Sequence, residues 1–411
     1  MSYHRDEVFV AGGQPSVTYV EREQLHIERN LARAIATSNQ IVSLAGPTKT
    51  GKTVLCRKVL GERDYIWTDG GQVGTADELW RSIFSELKIP NETSTSAGTD
   101  TSVSLGLNKI VTAAGSRLRK TTTTEVRRAE SMADAIKYLL EDRIVLVIDD
   151  FHYMPPSART AAMRNIKGAV YNGLKVILLS ATHRAFDAIT AEPELTGRFN
   201  AITMPNWSRD DLLKIAELGF SALRVDCDQA IVGSLATEAQ ESPFLMQQFC
   251  WEMCYDCNIE RAGFLRQRIS ADYDPEAMFV RLAENAGLPV YQSGPQSRRA
   301  RVKRPLSDGK EADIYEATLL ALSETGPKSS VSYEELRSSL TKLLTDMVPQ
   351  KHEITSALKH LASISVKSGS EGAIDWDEDK REINLSDPYL RFYLRWQVRS
   401  RRQRELGQTP A

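Results

Sequence analysis

The sequence predicts an α/β fold: a mostly parallel sheet covered by helices on both faces, then a helical block and a smaller C-terminal unit. Three observations predict it. The apolar run "IVSLA" (41–45) leads into "GPTKTGKT" (46–53), whose spacing is that of the phosphate-binding loop GxxxxGK[ST]. Two further aliphatic runs, in "RIVLVIDDFHYM" (143–154) and "KVILLSAT" (175–182), suit strands buried on both faces. Strands alternate with helical patterns as far as about residue 205, and helices alone follow.

The elements can be placed in order. Residues 1–15 read as a loose tail containing Gly12, Gly13 and Pro15. "YVEREQLHIERNLARAIA" (19–36) has helical spacing, and after the strand and loop a helix spans 51–60. "DYIWTD" (64–69) supplies a second strand and "ADELWRSIFSELKI" (76–89) an amphipathic helix. Residues 91–124 are rich in Ser, Thr and Gly and read as a surface insert, or as a loop touching a neighbour or ligand through Lys109, Arg117, Arg119 and Lys120. Helix 127–140, the strand in 143–154, helix 156–171, the strand 175–182 and a short strand "AITMP" (201–205) complete the core. Beyond Pro205 come helices 208–225, 227–240 and 242–259, the first with a Ser N-cap and an acidic first turn. Residues 286–310 are broken by Gly and Pro and read as a linker. Residues 311–403 then give helices and a charged hairpin around Glu378 and Lys380, the winged-helix pattern, closed by an extra helix "DPYLRFYLRWQVRSRRQ" and a tail from 404.

Composition narrows the function classes. The 411 residues are 41% hydrophobic and 26% charged with a formal charge of −2, which argues for several domains and against a globally basic nucleic-acid coat. No apolar run approaches the roughly 18 residues of a membrane helix, and the N-terminus lacks a signal-peptide layout, so the expected location is cytoplasmic. Five cysteines, an odd number, speak against a disulfide framework. Cys250, Cys254 and Cys257 could share a helical face as metal ligands, but no fourth ligand is nearby, and they read as packed apolar thiols.

The chemistry centres on the loop. Residues Gly46, Pro47, Thr48, Lys49, Thr50, Gly51, Lys52, Thr53 and Val54 form the segment whose backbone N–H groups, with the helix N-terminus, would wrap the phosphates. Lys52 would neutralise phosphate charge and Thr53 would ligate Mg²⁺. Asp149, at the end of its strand, is the second Mg²⁺ ligand, and Asp150 is placed to orient the attacking water, one methylene shorter than Glu. Ser180, Thr182 and Arg184 in "LLSATHR" can sense the γ-phosphate, against a plain surface role. Arg198 in "ELTGRF" is either an arginine finger toward a neighbouring subunit or a surface ion pair. The six histidines are scattered, and His183 reads as structural.

With "GPTKTGKT", "LVIDD", "LLSATHR", "ELTGRF" and the block opening "MPNWSRDDL", the chain resembles the AAA+ superfamily, and within it the STAND and origin-recognition-like ATPases. "YVEREQL" is similar to the box that precedes the loop there, with Val20-Glu21 where Val-Gly is common. "ESPFLMQQFCWEM" carries no Arg or Lys where AAA+ machines keep a sensor Arg. Its Ser242-Pro243 resembles the Gly-x-Pro element of STAND proteins, which implies that Pro243 packs on adenine. "INLSDPYLRFYLRW" resembles the closing segment of archaeal-type STAND winged helices. The resemblance implies ATP/ADP and Mg²⁺ as cofactors, slow ATP hydrolysis, a homo-oligomer in the ATP state and a separate protein effector. The resulting expectation is a nucleotide switch serving defence, signalling or transposition. Two alternatives stand beside it: a DNA-bound regulator using Arg391, Arg395 and Arg399 at helical spacing with Arg401, Arg402 and Arg404, and a non-hydrolysing scaffold. Asp375, Asp377, Glu378 and Asp379 in the wing count against DNA.

Overall fold

Alternating side chains let one sheet hold two cores. The computed structural model describes residues 2–87, 132–181, 184–285, 302–326, 328–345, 348–367 and 373–398. The insert 91–124, Thr182, His183 and the arginines from 399 onward lie outside these residues. Strands β1 (Ile41–Ala45), β2 (Tyr65–Asp69), β3 (Val145–Asp149), β4 (Val176–Ser180) and β5 (Phe199–Thr203) form one sheet in the order β2-β3-β4-β1-β5, every pairing parallel. β1 and β4 are buried throughout and the two edge strands only in part, as central and edge positions require.

Successive residues point to opposite faces. Ile41, Ile66, Leu146, Ile148, Val176 and Leu178 pack on one side against helices α4 (Ala76–Glu86), α5 (Met132–Glu141) and α6 (Pro156–Tyr171). Val42, Leu44, Val145, Val147, Ile177 and Leu179 face the other way, onto α2 (Ile27–Ala36) and α3 (Lys52–Leu60). The five strands expected from the sequence all form, β3 inside the anticipated 143–154 and the other four within two residues of their anticipated bounds.

The N-terminus departs from expectation. Residues anticipated as a loose tail form helix α1 (Arg5–Val8), capped by His4, with Val8 and Phe9 buried. Arg5 N donates to the Glu260 carbonyl, and Phe9 meets Phe220 edge-on at 5.4 Å. Gly219 is the counterpart of Phe9: a β-carbon there would lie 2.2 Å from its ring. The expected helix 19–36 is also shorter, because His26 turns left-handed (φ 50°) and only a 3₁₀ turn, Glu23–Leu25, precedes α2.

Helices α8 (Arg209–Leu223), α9 (Gln229–Glu238), α10 (Pro243–Asp256) and α11 (Pro275–Asn285) form the helical block, tied by the short pair β6 (Val225–Asp226) and β7 (Gln267–Arg268). A short α7 (Asp187–Ala191) precedes β5. Ser208 caps α8 through the Asp211 N–H, as its sequence signalled. Cys250 and Cys254 are buried in this core, and burial pushes the Cys254 thiol up to about 12, which keeps it protonated. Among the described residues, no group of three or more His, Cys, Asp or Glu is arranged to hold a metal ion. None of the described helices is long and apolar enough to cross a membrane.

The C-terminal unit contains α12 (Ile314–Glu324), α13 (Tyr333–Leu343) and α14 (Lys351–Lys367), with β10 (Ser330–Ser332), β11 (Asp375–Asp377) and β12 (Glu382–Asn384) in an antiparallel sheet of order β10-β12-β11. Part of the expected linker belongs to it: β8 (Arg304–Pro305) pairs with β9 (Glu311–Ala312), and Arg304 bonds Glu353 at 2.6 Å. The chain then returns. Helix α15 (Pro388–Tyr393) and the π-turn Leu394–Val398 lie between this unit and the helical block. Phe392 joins the block's core, 5.2 Å from Phe249 and 5.9 Å from Phe279, whereas Tyr393 and Leu394 join the C-terminal core.

Candidate nucleotide site

A cavity of about 500 Å³ opens over the C-terminal ends of the sheet strands, where loops and helix N-termini gather. Its floor is the loop between β1 and α3. Gly51 takes φ 92° and lets the chain turn into α3, so the first N–H groups of that helix point into the cavity. Gly46 is required by a close approach, since a β-carbon would lie 2.8 Å from Met204 Cβ. The loop is braced from beneath. Gly46 N donates to the Ser180 carbonyl, and the Thr50 hydroxyl donates to the Pro47 carbonyl at 2.7 Å. Trp207 Nε1 donates to the Thr50 carbonyl, and the Arg22 guanidinium lies 4.6 Å above the Trp207 ring.

The expected charged groups converge. Lys52 Nζ donates to the Gly46 and Pro47 carbonyls at 3.0 Å each, which holds its ammonium over the loop. Thr53 Oγ1 donates to Asp149 Oδ2 at 3.1 Å. A hydroxyl and a carboxylate so placed, one from a helix N-terminus and one from a strand end, are the hard oxygen donors that suit Mg²⁺. Burial pushes the Asp149 carboxyl above its ordinary range, opposed by the Thr53 hydrogen bond and the Lys52 charge. A cation is what such a buried carboxylate calls for. Asp150 lines the cavity in a left-handed conformation (φ 51°), its N–H bonded to Asp149 Oδ1. Thr48, Lys49, Thr50 and Val54 also line it, as does Pro243 at the start of α10.

Two expected residues stand elsewhere. Arg184 does not line the cavity: its guanidinium is 3.7 Å from Asp375 of β11, so it links the end of β4 to the C-terminal unit. Arg198 lies 4.7 Å over the Tyr171 ring on the core surface, away from this chain's own cavity. Thr182 lies outside the described residues.

Several wall residues were not singled out from the sequence. Val10, Gly12 to Pro15, Thr18, Tyr19 and Val20 close one side, with Tyr19 Oη on Glu28 at 2.5 Å and the Lys58 ammonium 3.8 Å over its ring. His152, three residues after Asp149, lines the cavity as well. Gly70 lies behind Asp149 and Asp150: a β-carbon there would be 2.8 Å from the Asp150 carbonyl and 3.0 Å from that of Asp149. Backbone cannot yield to a methyl group cheaply. Gly70→Ala is therefore expected to shift both carboxylates and to lower ATP turnover roughly tenfold to a hundredfold while the fold survives. Phosphate-release assays with circular dichroism check this, and unchanged turnover would refute it.

The central loop, the two strand-end carboxylates and a sheet with β1 between β4 and β5 together define a P-loop nucleotide-binding core. Residues 35–185 match the AAA domain family. No curated protein matches the chain in sequence. Among solved structures, the chain is similar to the Walker-type ATPase PABY2304 of Pyrococcus abyssi, at 16% identity and TM-score 0.57, over 92% of this chain and 100% of that one. It is also similar to the ORC2 protein of Aeropyrum pernix, a structure of ADPNP–ADP complexes, at 13% identity and TM-score 0.50, over 98% of both chains. At such identities the likeness concerns the fold. The five-stranded parallel α/β core has the P-loop NTPase fold, and the match to the AAA domain family falls on it.

Proposed function

We propose that the chain is an ATP-binding and slowly hydrolysing switch of the STAND-like type, whose nucleotide state controls oligomerisation and the engagement of a partner protein. One observation carries this reading. The phosphate loop touches the C-terminal helix directly, through Lys49 Nζ and Asp387 Oδ1 at 2.9 Å, so a ligand on the loop has a short path to the C-terminal unit. A loop ligand that favours one arrangement of these parts shifts their equilibrium by its differential affinity. The C-terminal unit, three helices with a hairpin, acts as a winged helix in this reading.

In the site, Thr53 and Asp149 would hold Mg²⁺, which neutralises charge on the β- and γ-phosphate oxygens when bound. Lys52 shares that task, Asp150 orients the water, and Thr182, assigned from the sequence alone, senses the γ-phosphate. Pro243 supports the base. Arg184 serves the C-terminal contact, and Arg198 reaches the site of a neighbouring copy once the chain assembles. Supporting a switch over a motor, α10 carries no Arg or Lys to act as a lid sensor.

Light scattering with ADP and with a non-hydrolysable ATP analogue tests the proposal. The expected result is a larger assembly, with an altered proteolytic pattern, in the analogue alone. Identical mass and pattern in both nucleotides would overturn it.

The whole-length likeness to an ORC2 protein favours a second reading, a DNA-bound regulator. The arginine stripe supports it less than its spacing suggested. Arg391 is buried and donates to the Gln240 carbonyl at 2.8 Å, and Arg395 pairs with Glu238 at 2.8 Å. Salt-dependent binding to duplex DNA would favour this reading, and its absence would dismiss it.

A further inference from the structure

Lys49, the fourth residue of the phosphate loop, adopts φ 60°, a left-handed conformation in which a residue bearing a β-carbon is disfavoured and glycine is not. A strained backbone persists where surrounding contacts over-determine it. Here the side chain supplies them. Its ammonium bonds Asp387 Oδ1 at 2.9 Å, lies 4.2 Å from the Tyr389 ring centroid and 5.6 Å from that of Phe244, and is only 27% exposed, with Asp387 at 11%. Phe244 and Tyr389 meet edge-on at 5.4 Å, and the Ser242 hydroxyl donates to the Lys49 carbonyl at 3.4 Å. The loop is thereby gripped from the helical block and from α15 at the rim of the nucleotide cavity, which Lys49 and Phe244 both line.

α15 does not move alone. Phe392 sits in the core of the helical block and Tyr393 in that of the C-terminal unit. Whatever loosens the Lys49–Asp387 pair therefore loosens the hold of α15, and through it of the C-terminal unit, on the phosphate loop, while Ser242 and Trp207 keep their own bonds to it.

We infer that the nucleotide phosphates and the Asp387 carboxylate compete for the Lys49 ammonium, so that triphosphate binding and seating of the C-terminal helix on the loop oppose each other. This rests on the ATP-site reading and assigns its regulation to one ion pair. A triphosphate attracts the ammonium and repels the carboxylate on the same rim, and neutralisation of Lys49 by Asp387 removes a cation that the phosphates would use. Linkage makes the effect mutual: whatever the pair takes from nucleotide affinity, the nucleotide takes from the pair.

Asp387 also caps α15, its Oδ1 accepting from Tyr389 N at 2.8 Å, so Ala would damage the helix as well. Asn caps a helix as well as Asp does, and Asp387→Asn removes the charge alone. The dissociation constant of Mg-ATP is measured for the wild type, Asp387→Asn, Lys49→Met and the double variant, with the thermal midpoint as a check on folding. Asp387→Asn should tighten Mg-ATP at least about fivefold. In the Lys49→Met background the same change should tighten binding much less, by the residual repulsion alone, because no ammonium remains to be released.

Two results would overturn the inference: unchanged affinity in Asp387→Asn, or equal tightening with and without Lys49, which would mean simple repulsion between carboxylate and phosphates. A wild type that binds no Mg-ATP overturns the site reading and this inference together, whereas binding that ignores Asp387 overturns this inference alone.

Discussion

Lys52→Ala abolishes ATP turnover, a loss of roughly a hundredfold or more. The ammonium is held over the loop by hydrogen bonds to the carbonyls of Gly46 and Pro47, so removing it deprives the phosphates of a counter-charge without dismantling the core. Asp149→Ala should have the same outcome by another route, since Thr53 Oγ1 loses its partner and the proposed Mg²⁺ site its carboxylate. Steady-state phosphate release on both variants, beside the wild type, measures the effect. Turnover surviving in either would remove the loop or the strand end from the chemistry.

Phe392→Ala should destabilise the molecule by about 3–5 kcal/mol, the range for emptying a buried aromatic site. Phe392 is 1% exposed and wedged between Phe249 and Phe279. It is also the aromatic peg that fixes α15 to the helical block, so the variant should be cut by protease near the C-terminal unit before the core is touched. Urea unfolding and timed proteolysis supply the two readings. Phe264, 95% exposed, is the control, with Ala there expected to change stability by less than about 0.5 kcal/mol.

Most of the core was legible because its signals are local. "IVSLA" and "VLVID" are aliphatic at four of their five positions, with no alternation, which suits strands covered on both faces, and the glycine spacing of 46–53 leaves few alternatives for the chain between β1 and α3. Ser208 announced its helix through a cap that needs only three following residues. Contacts between distant segments were not legible. Residues 2–15 are short and broken by glycines, and nothing local shows that Phe9 fills the space left by Gly219, more than two hundred residues away. Arg184 and Arg391 were read by type and spacing as groups for phosphates. Their fate depended on acceptors elsewhere, Asp375 and the Gln240 carbonyl, which only the folded chain brings within reach. Gly70 carried no signal either, because its constraint comes from the neighbouring strand's carbonyls and not from its own turn.

The claim on which the account turns is that the cavity over β1, β3 and α3 takes a magnesium-bound adenine nucleotide. Titration calorimetry of the full chain with ATP, in the presence of Mg²⁺ and again with the metal chelated, tests it directly. The account predicts one site per chain that weakens on chelation and is lost in Lys52→Ala. Heat of dilution alone from a folded wild type would contradict it.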